Sequence, residues 1–171
     1  MIPRSFIILS TTTLFLLFLA FISVSSDKRF SEYDKEAVIA FPLLNAEPSA
    51  VSRIIFVNSS GRFAFYRNSD SIWVSAEKED YPVLPKLIGR ITTQLADMKR
   101  IEKKTRLGER FKSIGLEDPS DPGSNSALVR LESSNGKVLA EAILGAQTSY
   151  KTTLASKGTF IRVVDDDQAW L

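Results

Sequence analysis

The chain contains neither cysteine nor histidine in its 171 residues. Without cysteine there is no disulfide, no thiolate nucleophile, no Cys-type zinc or iron–sulfur ligand set and no lipid-modified cysteine anchor. Without histidine, Ser-His-Asp and Cys-His catalysis and every His-ligated metal centre are excluded within the chain. Carboxylate, lysine and tyrosine chemistry remain. A cysteine-free chain is indifferent to redox compartment and is compatible with the outside of a membrane. Charge excess of either sign is missing too. Of 22 basic and 20 acidic residues, Arg4 is the one charge ahead of Asp27, so 21 and 20 remain beyond it. That balance is not the footprint of a nucleic-acid binder, and no nucleic-acid partner is expected. An apolar share of 44% with 25% charged residues is that of an ordinary globular protein, and the length suits one domain plus an accessory segment.

Phe6 to Val24 is nearly continuous apolar sequence. Roughly 19 residues at 1.5 Å rise span about 28 Å, close to the hydrocarbon thickness of a bilayer. A single N-terminal transmembrane anchor is expected over residues 1–26. The alternative is a cleavable signal peptide, with Arg4 as a minimal n-region and Ser23-Val24-Ser25 as a small-x-small site. Export of the C-terminal part is the usual outcome for such a segment, although Lys28 and Arg29 just beyond it weaken the positive-inside argument. Residues 27–49 read as a juxtamembrane spacer, with Ala37 to Leu44 an extended piece tucked against the domain. Residues 50–171 read as an α+β domain.

Within that domain the periodicity changes from strand to helix and back. Val51 to Val57, Phe63 to Tyr66 and Ile72 to Val74 are rich in β-branched and aromatic residues. Asn58-Ser59-Ser60-Gly61 and Asn68-Ser69-Asp70-Ser71 separate them as turns. Asn58-Ser59-Ser60 also has the spacing of a glycosylation sequon. Leu84, Leu87, Ile88, Ile91, Leu95 and Met98 fall on one helical stripe, with Pro85 suited to the first turn. Leu87, Ile91 and Leu95 are expected against the sheet. A shorter helix over 108–114 follows, with Gly115 a left-handed residue after its end, Leu116 touching Phe111 as in a Schellman end, and Asp118-Pro119 stopping it. Ser134-Asn135-Gly136 marks a hairpin between Ala127–Glu132 and Lys137–Leu144, with Arg130 and Glu132 on a wet face. Thr159 to Val164 is a further strand, Asp165-Asp166-Asp167-Gln168 a turn, and Ala169-Trp170-Leu171 the start of another strand. The fold expected is α+β: a mostly antiparallel sheet packed by one long helix and, at its edge, a short one.

Little in the pattern carries chemistry. Consecutive carboxylates at Asp165, Asp166 and Asp167 point in different directions and lack the alternation of a Ca²⁺ loop, so they read as a solvated turn. GERFKSIG lacks Walker-type spacing. Lys99, Arg100, Lys103, Lys104, Arg106, Arg110 and Lys112 form the one basic cluster, diluted by Glu102 and Glu109. It reads as a solvated surface or as a contact for an anionic partner such as lipid headgroups or an acidic protein surface. Trp73 reads as core or as a ligand-stacking ring. No catalytic, cofactor-binding or metal-ligating residue is assigned, no cofactor is implied, and the chain is not expected to be an enzyme.

The succession Phe41-Pro42, Ala50-Val51-Ser52-Arg53-Ile54, Trp73, Tyr81-Pro82, Leu95-Ala96-Asp97, Gly115-Leu116-Glu117-Asp118-Pro119, Leu144-Gly145 and Trp170-Leu171 resembles the bacterial domain of unknown function numbered 4340. The resemblance covers most of the chain after the apolar run. It departs from that family at Leu84-Pro85, where an acidic or small N-cap is more usual, and at the end, where members continue into a similar second unit. The resemblance implies an uncharacterised membrane-anchored α+β protein, often found beside auxiliary proteins of gliding-motility-type ABC transporters. The expectation is therefore a non-enzymatic accessory domain of such a complex in the bacterial inner membrane, single-pass, with its C-terminal domain extracytoplasmic (periplasmic). The alternative is a module binding an envelope small molecule or glycan through Trp73, Tyr81 or Tyr150. On the same pattern the C-terminal end looks incomplete, with the last strand frayed or Trp170 partly exposed.

Overall fold

The computed structural model describes residues 37–149 and 157–171. The expected anchor over 1–26, residues 27–36 of the expected spacer, and Tyr150 lie outside the described residues. Among the described residues no helix is long and apolar enough to cross a membrane. In chain order the strands are β1 (Val38–Ile39), β2 (Val51–Asn58), β3 (Gly61–Arg67), β4 (Trp73–Ser75), β5 (Tyr81–Pro82), β6 (Lys99–Arg100), β7 (Ala127–Ser133), β8 (Val138–Ser149), β9 (Lys157–Val163) and β10 (Ala169–Trp170). The α-helices are α1 (Pro42–Ala46) and α2 (Pro85–Ala96). Eight strands form one sheet in the order β10-β9-β8-β7-β2-β3-β4-β5, and β1 pairs with β6. Every pairing is antiparallel. The α+β class with a mostly antiparallel sheet is thus the observed one.

The turns form for reasons visible in their residues. Asn58 Oδ1 accepts the Ser60 N–H at 2.9 Å, and Gly61 takes φ +133 to open β3. Asn68 Oδ1 accepts from both Asp70 and Ile72. Asn135 Oδ1 accepts from Lys137, beside Gly136 at φ +79. Asparagine thus supplies its own backbone with an acceptor at three reversals, where the chain would otherwise leave N–H groups unpaired.

Register assigns the two faces of the sheet. Ile54 pairs with Phe65 and Leu131, and Phe56 with Phe63 and Val129. These look toward α1 and α2, where Phe41, Leu44, Ile88, Leu95, Trp73 and Ile161 complete the main core. On the opposite face Leu116, Ile143 and Ala169 form a smaller core with Phe111, Ile114, Leu128 and Phe160 packed around it. The segment Gly108–Ile114 that covers this second core is a 3-10 helix. Its end is the expected one: Gly115 sits at φ 68, its N–H donates to the Lys112 carbonyl, and the Leu116 N–H donates to the Phe111 carbonyl at 2.8 Å. That pair of bonds is the Schellman arrangement, and Leu116 is fully buried beneath Phe111. Here the backbone comes very close to the β8–β9 irregularity at Leu144 to Gln147. A Cβ on Gly145 would lie 2.6 Å from the Ile114 carbonyl oxygen, and one on Gly115 would lie 2.9 Å from the Ala146 nitrogen. Only paired glycines let these two backbones meet.

Three expectations are corrected. In α2 the buried residues are Ile88, Thr92, Leu95 and Ala96, with Ile91 half-buried, while Leu84 and Leu87 are 75% and 41% exposed. The six-residue stripe spans too wide an arc for one contact, and short Thr92 and Ala96 take the closest approach. Residues 37–49 are part of the domain: β1, α1 and a 3-10 turn at Pro48–Ala50 bring Ala40, Phe41 and Leu44 into the core. The piece is not simply extended, because Pro42 opens α1 at its first turn. Finally, the last strand is held on both sides. Ala169 and Trp170 pair with Arg162 and Ile161 of β9. On the outer side, Ile101 and Lys104 donate to Leu171 and Ala169, and Ala169 and Leu171 donate back to Thr105 and Glu102. Ala169 and Leu171 are buried, so the strand is not frayed, whereas Trp170 is half-buried, which agrees with the expected partly exposed ring.

Candidate functional site

One cleft lies at one end of the sheet, where β2 begins, β3 ends and the β7–β8 hairpin turns. Its volume is about 720 Å³, and Arg53, Tyr66, Arg67, Glu132 and Ser133 are among its walls. A second cleft of about 570 Å³ runs between α2 and β4, lined by Trp73, Ile72, Ile88 and Thr92. Ser49, Val51 and Arg67 line both. A groove with two guanidinium groups, a phenol and several hydroxyls suits a polar or anionic small ligand better than an apolar one.

The Tyr66 hydroxyl donates to Asp80 Oδ1. That bond, strengthened by the carboxylate's charge, raises the Tyr66 pKa above its ordinary 10.0. A phenol held protonated is a hydrogen-bond donor and not a general base at neutral pH. On the wet face of the β7–β8 hairpin, Arg130 forms ion pairs with Glu132 at 2.7 Å and Glu141 at 3.5 Å.

Trp73 is not a stacking platform. It is 6% exposed, and the Arg67 guanidinium lies 5.5 Å from its ring centroid. Tyr81 is 69% exposed on β5. The Asp165–Asp167 turn is organised by the chain itself: Asp165 has φ 67, and Asp166 Oδ1 accepts the Gln168 N–H.

A different arrangement surrounds β10, and part of the expected basic cluster is built into it. Arg100 and Lys103 lie 5.1 and 5.4 Å from the Trp170 ring centroid. Lys104 lies 6.0 Å from Phe160 and Arg162 4.9 Å from Phe111. Strand alternation separates the two sets. Trp170 pairs with Ile161 of the main core, whereas Phe160 and Arg162 belong to the face of the smaller core. The cations therefore grip the edge from both sides. Gln168 is buried with Arg106 donating to its Oε1 at 3.1 Å, which ties a further basic side chain to the same edge. Lys104 is also paired with Glu102 at 2.7 Å. The indole N–H of Trp170 and the Nε–H groups of Arg100 and Arg162 are buried and find no acceptor among the described residues. This edge carries hydrogen-bond donors in excess of acceptors.

The signal for it in the sequence was the run of basic residues. Arg162 and the three aromatic rings were missed, because they reach the edge from β9, β10 and the 3-10 helix. Compared with known proteins, the chain matches no family model, no curated protein and no solved structure.

Proposed function

We propose that the chain is a membrane-anchored extracytoplasmic accessory domain that works by binding an anionic protein surface, as a component of an ABC-type transport or gliding-like complex. The observation that carries the binding is the β10 edge, where Arg100, Lys103, Lys104 and Arg162 lie over Trp170, Phe160 and Phe111. Stacking on a ring restrains a long cationic side chain in advance, so less rotamer entropy is lost when an acidic partner docks. The anchor rests on the apolar run before Asp27, and the kind of complex rests on the resemblance to domain family 4340. Co-purification of the tagged full-length chain in mild detergent tests the proposal. Transporter-type subunits should be enriched with the parent and lost with Arg100→Glu/Lys103→Glu. Recovery as a lone monomer, or enrichment indifferent to those charges, counts against it.

A second reading is favoured by the groove holding Arg53, Tyr66 and Arg67: binding of an envelope small molecule or glycan. Its support disappears if no anionic glycan or other envelope molecule raises the melting temperature of the chain.

A further inference from the structure

We infer that the cleft between α2 and β4 binds a small carboxylic acid with an apolar body, whose carboxylate sits on Arg67. The inference rests on the second reading above, a groove for a small envelope molecule, and names the class of that molecule. The walls set two requirements. Val51, Trp73 and Ile88 make an apolar floor, with Ile72 and Pro85 more exposed beside them. A volume of about 570 Å³ with such a lining and a few polar groups is that of a small-molecule site. The one charged side chain on the walls is Arg67, at the end of β3. Its guanidinium lies 5.5 Å from the Trp73 ring centroid and makes no ion pair among the described residues. A guanidinium set over a ring keeps its N–H edge for an acceptor, and one such fork matches one carboxylate in charge and shape. Among the described residues no acid lines this cleft. Asp70, on the turn before β4, is exposed and lines neither cleft, and Glu132 of the adjoining cleft is paired with Arg130.

Gly89 points the same way independently. It stands inside α2, where glycine is the least favourable residue apart from proline. A glycine in a regular element often answers to a close neighbour, as Gly145 does here. Gly89 does not, since a Cβ there would meet nothing within 4 Å. It lies on the wall of the cleft, four residues after Pro85 and on the same face of the helix. A side chain at this position would take up part of the cleft, so the helix gives up stability for room beside Arg67.

Calorimetric titration of the full-length chain in phosphatidylcholine nanodiscs tests this, with empty nanodiscs as the blank. The probes are 4-phenylbutyrate, 4-phenylbutylamine, which has the same body and the opposite charge, and glucuronate, which has the carboxylate without the apolar body. Phenylbutyrate should bind more tightly than either of the others by about tenfold or more, and Arg67→Gln should weaken it by a similar factor. Gly89→Leu should abolish measurable binding while melting at or above the parent temperature, so that the loss is not one of folding. Equal binding of the amine and the acid, or unchanged binding to Gly89→Leu, overturns the inference. Binding of glucuronate without phenylbutyrate also overturns it and leaves the small-molecule reading standing. Binding of none of the three overturns it as well, and the small-molecule reading then rests on the wider melting-temperature screen.

Discussion

The two edges of the eight-stranded sheet solve the same problem in different ways. A sheet edge presents unpaired N–H and C=O groups that invite other strands. At β10 the chain covers them with its own segment 101–105, whose backbone exchanges hydrogen bonds with Ala169 and Leu171, and cations over aromatic rings close both faces. At the other end β5 is two residues long, contains Pro82, and leaves Tyr81 exposed. Shortness and a proline blunt that edge without covering it. One edge is thus closed and cationic, the other short and open.

The contrast fails if the sheet between the edges is not packed as described, and the largest expected effect concerns α2. Ile88→Asp places an unpaired charge in the main core and should abolish cooperative thermal unfolding of the full-length chain in mild detergent. Leu87→Asp, at the next position, should stay within about 1 kcal/mol of the parent. Equal melting of the two variants would mean that the facing of α2 is wrong. Gly145→Val should follow, at about 3 kcal/mol by urea unfolding, since the carbonyls of Ile114 and Gly115 are backbone and yield little. A loss under about 0.5 kcal/mol would place the 3-10 helix further from β8.

The edges themselves are separated by the next pair. Trp170→Ala should cost about 2 kcal/mol, less than for a fully buried tryptophan because the ring is half-buried. Tyr81→Ala should cost less than about 0.5 kcal/mol. Similar losses would erase the distinction. The smallest effect is electrostatic. The Tyr66 phenol is held protonated by Asp80, so the folded state binds its proton more tightly than the unfolded one. Its contribution is complete below the ordinary pKa of 10.0 and fades as pH rises through the folded value. Tyr66→Phe should flatten the stability profile above pH 10 and remove one late-titrating phenol from the absorbance titration. An unchanged titration would remove the bond.

What the sequence revealed was mostly local. Asparagine and glycine at 58–61, 68–71 and 134–136 marked reversals whose geometry is decided within four residues, and Gly115 marked a helix end by the conformation it must adopt. Pro85 located the start of α2 for the same reason. The facing of α2 was not legible. Six apolar residues satisfied a helical stripe, but the buried arc is chosen by which side chains are short enough to sit against the sheet, and Thr92 is polar. Nor was the closed edge. Lys-Arg-Ile-Glu-Lys-Lys reads as solvated chain, since its contribution is made by backbone groups that look alike in every residue. Its partner at Ala169–Leu171 lies more than sixty residues away, and periodicity carries no information at that range. For the candidate site, the basic run was visible and the rings beneath it were not.

Amide hydrogen exchange on the full-length chain addresses the division between the edges most directly. The amides of Ile101, Lys104, Ala169 and Leu171 should exchange only through global unfolding, while those of Tyr81 and Leu84 exchange early. Rapid exchange at Ala169 and Leu171, at rates matching Tyr81, would contradict the closed edge on which this account depends.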